Sequence, residues 1–151
     1  CLGAGLNIAA VCDLRIAAED ARLGIPAARM GLGYRASSMK NLVDLVGLAY
    51  AKEIMLTARQ VSAAEAKHMG LVHHVVPVAE LESFTRKLAE DISANAPLTM
   101  RAAKRIIHEV AKRPYDAGKC RAWMKECFES EDYKEGRKAF AEKRKPVFRG
   151  R

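Results

Sequence analysis

The sequence predicts an α/β protein in two parts. Strands mix with short helices over residues 1–77, and helices alone follow over residues 78–151. Three observations carry this. Before Pro77, short aliphatic and β-branched runs alternate with helical patterns and are punctuated by glycine and proline. After it, apolar residues recur every three or four positions, as at Leu81, Phe84, Leu88 and Ile92. Half of the 151 residues are hydrophobic, which suffices for a real core and excludes a disordered chain. The helical part has no sheet of its own, so its apolar stripes have to pack on the first part or on another subunit.

The opening Cys1-Leu2-Gly3-Ala4-Gly5-Leu6-Asn7 reads as a glycine-rich turn that feeds a short buried helix over residues 4–11. Such a turn offers free backbone N–H groups at the helix start and can hold a phosphate, a carboxylate or an oxygen that turns negative. The same pattern also serves a tight helix–strand contact where only small residues fit. Residues 12–18 and 22–25 read as short strands. Met30 to Ser38 is a glycine-containing loop, with Ser37 or Ser38 as N-cap of the next helix. Leu42, Leu45 and Val46 fall at helical spacing, Gly47 ends that helix, and another covers residues 48–57. Ser62-Ala63-Ala64-Glu65 is a capping box for a helix that stops at Gly70, and Leu71 to Pro77 reads as a strand closed by proline. Helical segments follow at roughly 80–95, 98–112, 117–129 and 131–142, with Trp123, Cys127 and Phe128 among the apolar residues to be buried.

The net charge of +8 suits a phosphorylated ligand, an anionic lipid or nucleic acid. The basic residues gather from Arg101 to Arg113 and from Lys134 to Arg151, where they read as solvated helix surface. No interleaving of aromatic and basic residues appears, so nucleic acid is not an expected partner. No apolar run approaches the ~20 residues that cross a bilayer, so a membrane partner is not expected either. No secretory leader pattern is present and the expected location is cytoplasmic. The chain opens in mid-pattern without Met, and residues are expected upstream.

Cys1, Cys12, Cys120 and Cys127 lack zinc-site spacing and read as free buried thiols. His73 and His74 are adjacent in a strand and face opposite ways, while Glu65 and His68, one helical turn apart, make a solvated contact. No metal site is expected. A Ser-His-Asp order and a Walker loop are absent, and Ile8 stands where a dinucleotide fingerprint needs glycine.

Three side chains remain as candidates. Asn7 lies about one turn past Ala4, near whatever the turn binds, although pairing within the fold is the simpler role for a buried amide. Tyr34 and Arg35 share the glycine-containing loop. A tyrosine can donate a proton and an arginine can hold an anion; both also read as ordinary surface loop residues.

Several stretches together resemble the later half of a crotonase-family protein, of the enoyl-CoA hydratase/isomerase superfamily. They are Gly3-Ala4-Gly5, Cys12-Asp13-Leu14-Arg15-Ile16-Ala17, Ala21-Arg22-Leu23-Gly24-Ile25-Pro26, Leu45-Val46-Gly47, Ala51-Lys52-Glu53-Ile54-Met55-Leu56-Thr57-Ala58-Arg59, Ser62-Ala63-Ala64-Glu65-Ala66 and Glu135-Gly136-Arg137-Lys138-Ala139-Phe140-Ala141-Glu142-Lys143-Arg144. The resemblance implies the later part of a ClpP/crotonase-like spiral of ββα units, followed by an α-helical trimerisation region. It implies a coenzyme A thioester as substrate, no covalently bound cofactor, and a homo-trimer or dimer of trimers.

By position, Ala4 N–H is one of two backbone donors to the thioester oxygen as it becomes an enolate, with Gly3 and Gly5 shaping the turn beside the substrate. The other donor falls upstream of Cys1. Phe140 and Lys143 match positions that approach coenzyme A. The two glutamates that activate water in hydratases fall on Asn7 and Ala27, neither of which is a carboxylate, so two-glutamate hydration is not expected. The alternatives are a different crotonase-type reaction using Tyr34 as proton donor or Arg35 as carboxylate anchor, or a non-catalytic acyl-CoA-binding trimer.

Overall fold

A computed structural model describes all residues from Cys1 to Arg151. The chain divides into two compact units, Cys1–Thr85 and Arg86–Arg151.

The first unit opens with Leu2 in a parallel bridge to Gly24, then α1 (Ala4–Ala10). β1 (Ile16–Ala18) pairs in parallel with β4 (His74–Val76), with Ala17 opposite Val75. β2 (Arg22–Leu23) pairs antiparallel with β3 (Val61–Ser62), with Leu23 opposite Val61. Both strand patterns of the sequence are longer than the strands. Just before each strand the ladder gives way to other bonds: Leu71 and Val72 N–H donate to Ala66 O, His73 N–H donates to Arg15 O at 2.9 Å, and Arg15 adds three more. Its Nε donates to Leu71 O at 2.7 Å and its Nη1 to Cys12 O, while its backbone N–H donates to His73 Nδ1 at 3.1 Å.

A 3₁₀ turn over Pro26–Met30 leads to α2 (Ala36–Thr57). Arg35, extended at φ −68° and ψ 137°, is the N-cap and makes no side-chain cap bond. The expected cap at Ser37 or Ser38 is therefore wrong. The backbone already turns helical at Ala36, so both serines lie inside the first turn, where a hydroxyl cannot cap. Gly47, at φ 72° and ψ 172°, breaks α2 into the two helices that the sequence predicts.

α3 (Ala63–His68) starts on a complete capping box. Glu65 N–H donates to Ser62 Oγ at 3.2 Å, and Ser62 N–H donates to Glu65 Oε2 at 2.8 Å. Gly70 then reverses the chain at φ 79°. Leu6, Ile25, Leu42, Ile54, Val61 and Leu71 are almost wholly buried and form the centre of this unit. Each such side chain contributes about 1.5–3 kcal/mol by leaving water.

Two expectations about burial need correction. α1 buries Leu6, but Ile8 and Val11, in its last turn and just past it, are 68% and 66% exposed, because within this chain nothing packs on that side. The four free cysteines are not buried thiols: Cys1 and Cys12 are exposed, and Cys120 and Cys127 are half-buried. They sit at element ends or on helix faces outside the packed centre.

The division between units falls in the second turn of α4 (Leu81–Ser93). The second unit continues with α5 (Pro97–Val110), α6 (Ala117–Phe128) and α7 (Glu131–Ala141), close to the sequence segments. Proline at the start of α5, Asp116 capping Lys119 N–H at 3.0 Å and Ser130 capping Tyr133 N–H at 3.0 Å set the three starts. Buried Glu109 accepts from Lys112 at 2.6 Å and from Asp116 N–H at 3.1 Å, and these bonds, Lys112 foremost, hold its carboxyl below the usual range. Buried Asp132 straps the end of the chain by accepting from Arg149 N–H at 2.7 Å and Gly150 N–H at 2.8 Å. An apolar groove of about 800 Å³, lined by Ile106, Met124, Phe128, Tyr133, Phe140 and Phe148, stays open beside these helices.

Candidate active site

The turn at the start of α1 is fixed from both sides. Gly3 takes φ 54° and ψ −115°, a conformation that a side chain would oppose, and no Cβ contact obstructs it. Its N–H donates to Gly24 O at 2.8 Å, and Gly24 N–H donates back to Cys1 O at 3.3 Å. Gly5 N–H closes onto Leu2 O at 3.0 Å and Asn7 N–H onto Gly3 O at 3.2 Å. Ala4 is the first helical residue, so its N–H has no carbonyl one turn back to bond. The residue is exposed, which leaves that donor accessible.

Tyr34 reaches this turn from the loop before α2. Asn7 Nδ2 donates to the Tyr34 hydroxyl at 2.5 Å, and that hydroxyl donates to Gly3 O at 3.3 Å. Tyr34 also packs on the core, so its ring is braced while its oxygen lies at the turn. The fold thus joins Gly3, Ala4, Asn7 and Tyr34, which span 31 residues of sequence. Asn7 is paired within the fold, as its amide requires.

Arg35 is exposed and serves as the backbone N-cap of α2. Ala27 is 4% exposed and its methyl is part of the core. A glutamate there would carry a carboxylate into apolar packing. Phe140 and Lys143 belong to the second unit. Phe140 is 87% exposed on α7, and Lys143 follows that helix at φ 52°.

Two contacts of the sequence reading are replaced. Glu65 does not meet His68: its Oε1 takes Arg59 Nη1 at 2.7 Å, and His68 packs edge-on against Tyr50 at 6.2 Å. The Ser62 N–H, and then Arg59, hold the Glu65 carboxyl down at about 2. His73 and His74 do diverge. His73 bonds Arg15, and burial keeps its imidazole below the ordinary value, while His74 tilts against Phe84 at 5.1 Å. No group of three or more His, Cys, Asp or Glu is placed to hold a metal ion.

Sequence reasoning missed Gly24, whose carbonyl anchors the turn across 21 residues, and the buried guanidinium of Arg15, which burial pushes below its ordinary value. The alternation of small and large residues in Leu23-Gly24-Ile25 was the available signal for the first.

The model of the family described as "Enoyl-CoA hydratase/isomerase" matches residues 1–151. The chain belongs to this family. Among curated members of the enoyl-CoA hydratase/isomerase family, an enoyl-CoA hydratase of Mycobacterium tuberculosis is 40% identical over 99% of this chain and 57% of its own length. A short-chain-enoyl-CoA hydratase of Clostridium acetobutylicum is 37% identical over 95% of this chain and 56% of its own. Among solved structures, an enoyl-CoA hydratase/carnithine racemase from Magnetospirillum magneticum superposes with a TM-score of 0.92 at 32% identity, covering 100% of this chain and 57% of that one. An enoyl-CoA hydratase from Bacillus anthracis gives 0.88 at 38%, covering 99% and 59%. The fold is therefore that of the later crotonase spiral with its helical region, and the chain spans a little over half the length of the curated relatives it matches.

Proposed function

We infer that the protein handles acyl thioesters of coenzyme A as an enoyl-CoA hydratase/isomerase-type enzyme, stabilising a thioester enolate. One observation carries this reading: the Gly3 turn, locked to Gly24, presents the Ala4 N–H without an intrahelical partner. A fixed donor costs no reorganisation when the thioester oxygen becomes negative. Gly3 and Gly5 keep side chains away from the bound acyl group. Phe140 and Lys143 contact coenzyme A, the lysine through a phosphate. The coenzyme A thioester is substrate and no covalent cofactor takes part. The assembly is a homo-trimer or dimer of trimers in the cytoplasm, without nucleic-acid or membrane partners for this activity.

Asn7 and Ala27 supply no carboxylate, so proton transfer falls to another group. Tyr34 is the proton donor, held by Asn7, and Arg35 anchors a substrate carboxylate. A second reading, an acyl-CoA-binding trimer without turnover, draws on the same contact: the Tyr34 hydroxyl is engaged by Asn7 on one side and Gly3 O on the other.

Exchange of the α-protons of butyryl-CoA in deuterated buffer, read by mass spectrometry on the full-length protein, separates the two. The enzyme reading expects exchange, slowed about 10²-fold or more in Tyr34→Phe while thioester binding is kept. Binding without exchange favours the non-catalytic trimer. Parental exchange in Tyr34→Phe would sink the role of that tyrosine, and parental turnover by Arg35→Ala of a coenzyme A thioester that bears a free carboxylate would sink the role of Arg35.

A further inference from the structure

The net charge is not shared between the two units. Cys1–Thr85 carries eight Lys and Arg against eight Asp and Glu, whereas Arg86–Arg151 carries eighteen against ten. Part of that excess forms one stripe. Arg101, Lys104, Arg105, His108 and Lys112 recur over three helical turns and share a face of α5 and its end. They border a concavity of about 380 Å³ whose wall from α6 is Trp123. The Arg105 guanidinium lies over that ring, 5.9 Å from its centroid. Within the stripe Glu126 pairs with Arg101 at 2.7 Å, and buried Glu109 pairs with Lys112 at 2.6 Å. The Arg101 pair is exposed on both sides, so it is weak and open to exchange.

We propose that this α5–α6 groove binds a nucleotide: a planar heteroaromatic ring stacks on Trp123, and the phosphates are held by Arg105 and Arg101. Both halves of the ligand are matched. Arginine forks pair with phosphate through charge-assisted hydrogen bonds. A tryptophan face stacks on any base, and a guanidinium lies comfortably beside that stack. The stripe from Arg101 to Lys112 extends about 16 Å at helical rise, enough for more than one phosphate. The nucleotide is therefore either free or a unit of a single-stranded RNA. The sequence conceals the site, because Trp123 lies eighteen residues from Arg105 and only the packing of α5 on α6 brings them together.

Trp123 is the sole tryptophan, so its emission reports on this groove alone. The full-length protein is titrated separately with adenosine diphosphate and with a short single-stranded oligoribonucleotide. Saturable quenching is expected, weakening as salt rises, with log-log slopes near −0.7 per phosphate for the strand. Quenching by the diphosphate alone identifies a free nucleotide as the ligand. Quenching by the strand alone, with a slope worth several phosphates, identifies RNA. Arg105→Glu should weaken the effective ligand at least ~10-fold, and Arg105→Lys less, since the charge remains while the fork and its place over Trp123 are lost. Arg105 is exposed and both substitutions suit a helix; His108→Glu on the same face independently introduces a negative charge. Unchanged emission with both ligands, or quenching that is equal in the parent, Arg105→Glu and His108→Glu, overturns the proposal.

Discussion

Replacing Gly24 with alanine tests how the turn at Gly3 is held. A Cβ built on Gly24 would lie 2.8 Å from Arg59 O and 3.4 Å from Gln60 Cα, so the obstacle is backbone and not a flexible side chain. Relief to an ordinary contact needs a displacement of about 0.6 Å between β2 and the segment entering β3, in a core that resists such movement. Overpacking of this kind costs about 1–3 kcal/mol. With an unfolding slope near 2 kcal/mol per molar urea, the midpoint should fall by about 1 M.

The same shift carries Gly24 O away from Gly3 N–H and moves the Ala4 donor, and sub-ångström errors of position slow reactions by up to about 10²-fold. Gly5→Ala is the control. Its Cβ would meet only Cys1 Sγ, at 3.9 Å, inside a helix, so stability should rise by about 0.5–1 kcal/mol. Urea melts followed by circular dichroism read both. A Gly24→Ala midpoint within error of the parent would refute the steric reasoning, as would a loss of equal size in Gly5→Ala.

Two further outcomes follow from buried or paired carboxylates. Glu65 titrates near 2 when folded and near 4.5 when free, so its contribution to stability is complete above about pH 4.5 and is lost as the pH falls toward 2. Glu65→Gln should flatten that part of the stability–pH curve, and an unchanged acid limb would contradict the assignment. Asp132→Ala leaves the Arg149 and Gly150 N–H groups unpaired, at about 1–3 kcal/mol, and should speed tryptic cleavage after Arg149, followed by mass spectrometry.

Much of this was legible because it is local. The Ser62–Glu65 box, the break at Gly47 and the spacing of α5, α6 and α7 are set by residues within one or two turns of each other. What escaped depends on distant partners. Tyr34 was readable as a loop residue and a possible proton donor but not as a partner of Asn7, since nothing near it in sequence indicates a bond 27 positions back. The sequence placed Arg15 in a strand without indicating its burial, which is possible because Leu71 O and Cys12 O satisfy its guanidinium. Ser37 failed as a cap because the backbone entered the helix two residues sooner than side-chain preference implied.

The parallel pairing of β1 with β4 has a kinetic consequence. Ile16 meets His74 only after 58 residues, including all of α2 and α3, have been drawn into a loop, and that closure entropy precedes any gain from the three-residue ladder. The contacts of α5 with α6 span a short turn and form early. As the chain leaves the ribosome, β4 emerges ahead of those helices, yet its union with β1 is the slower event. Assembly of the first unit therefore finishes on the far side of the largest loop it has to close, and whatever delays β4 delays the whole of it.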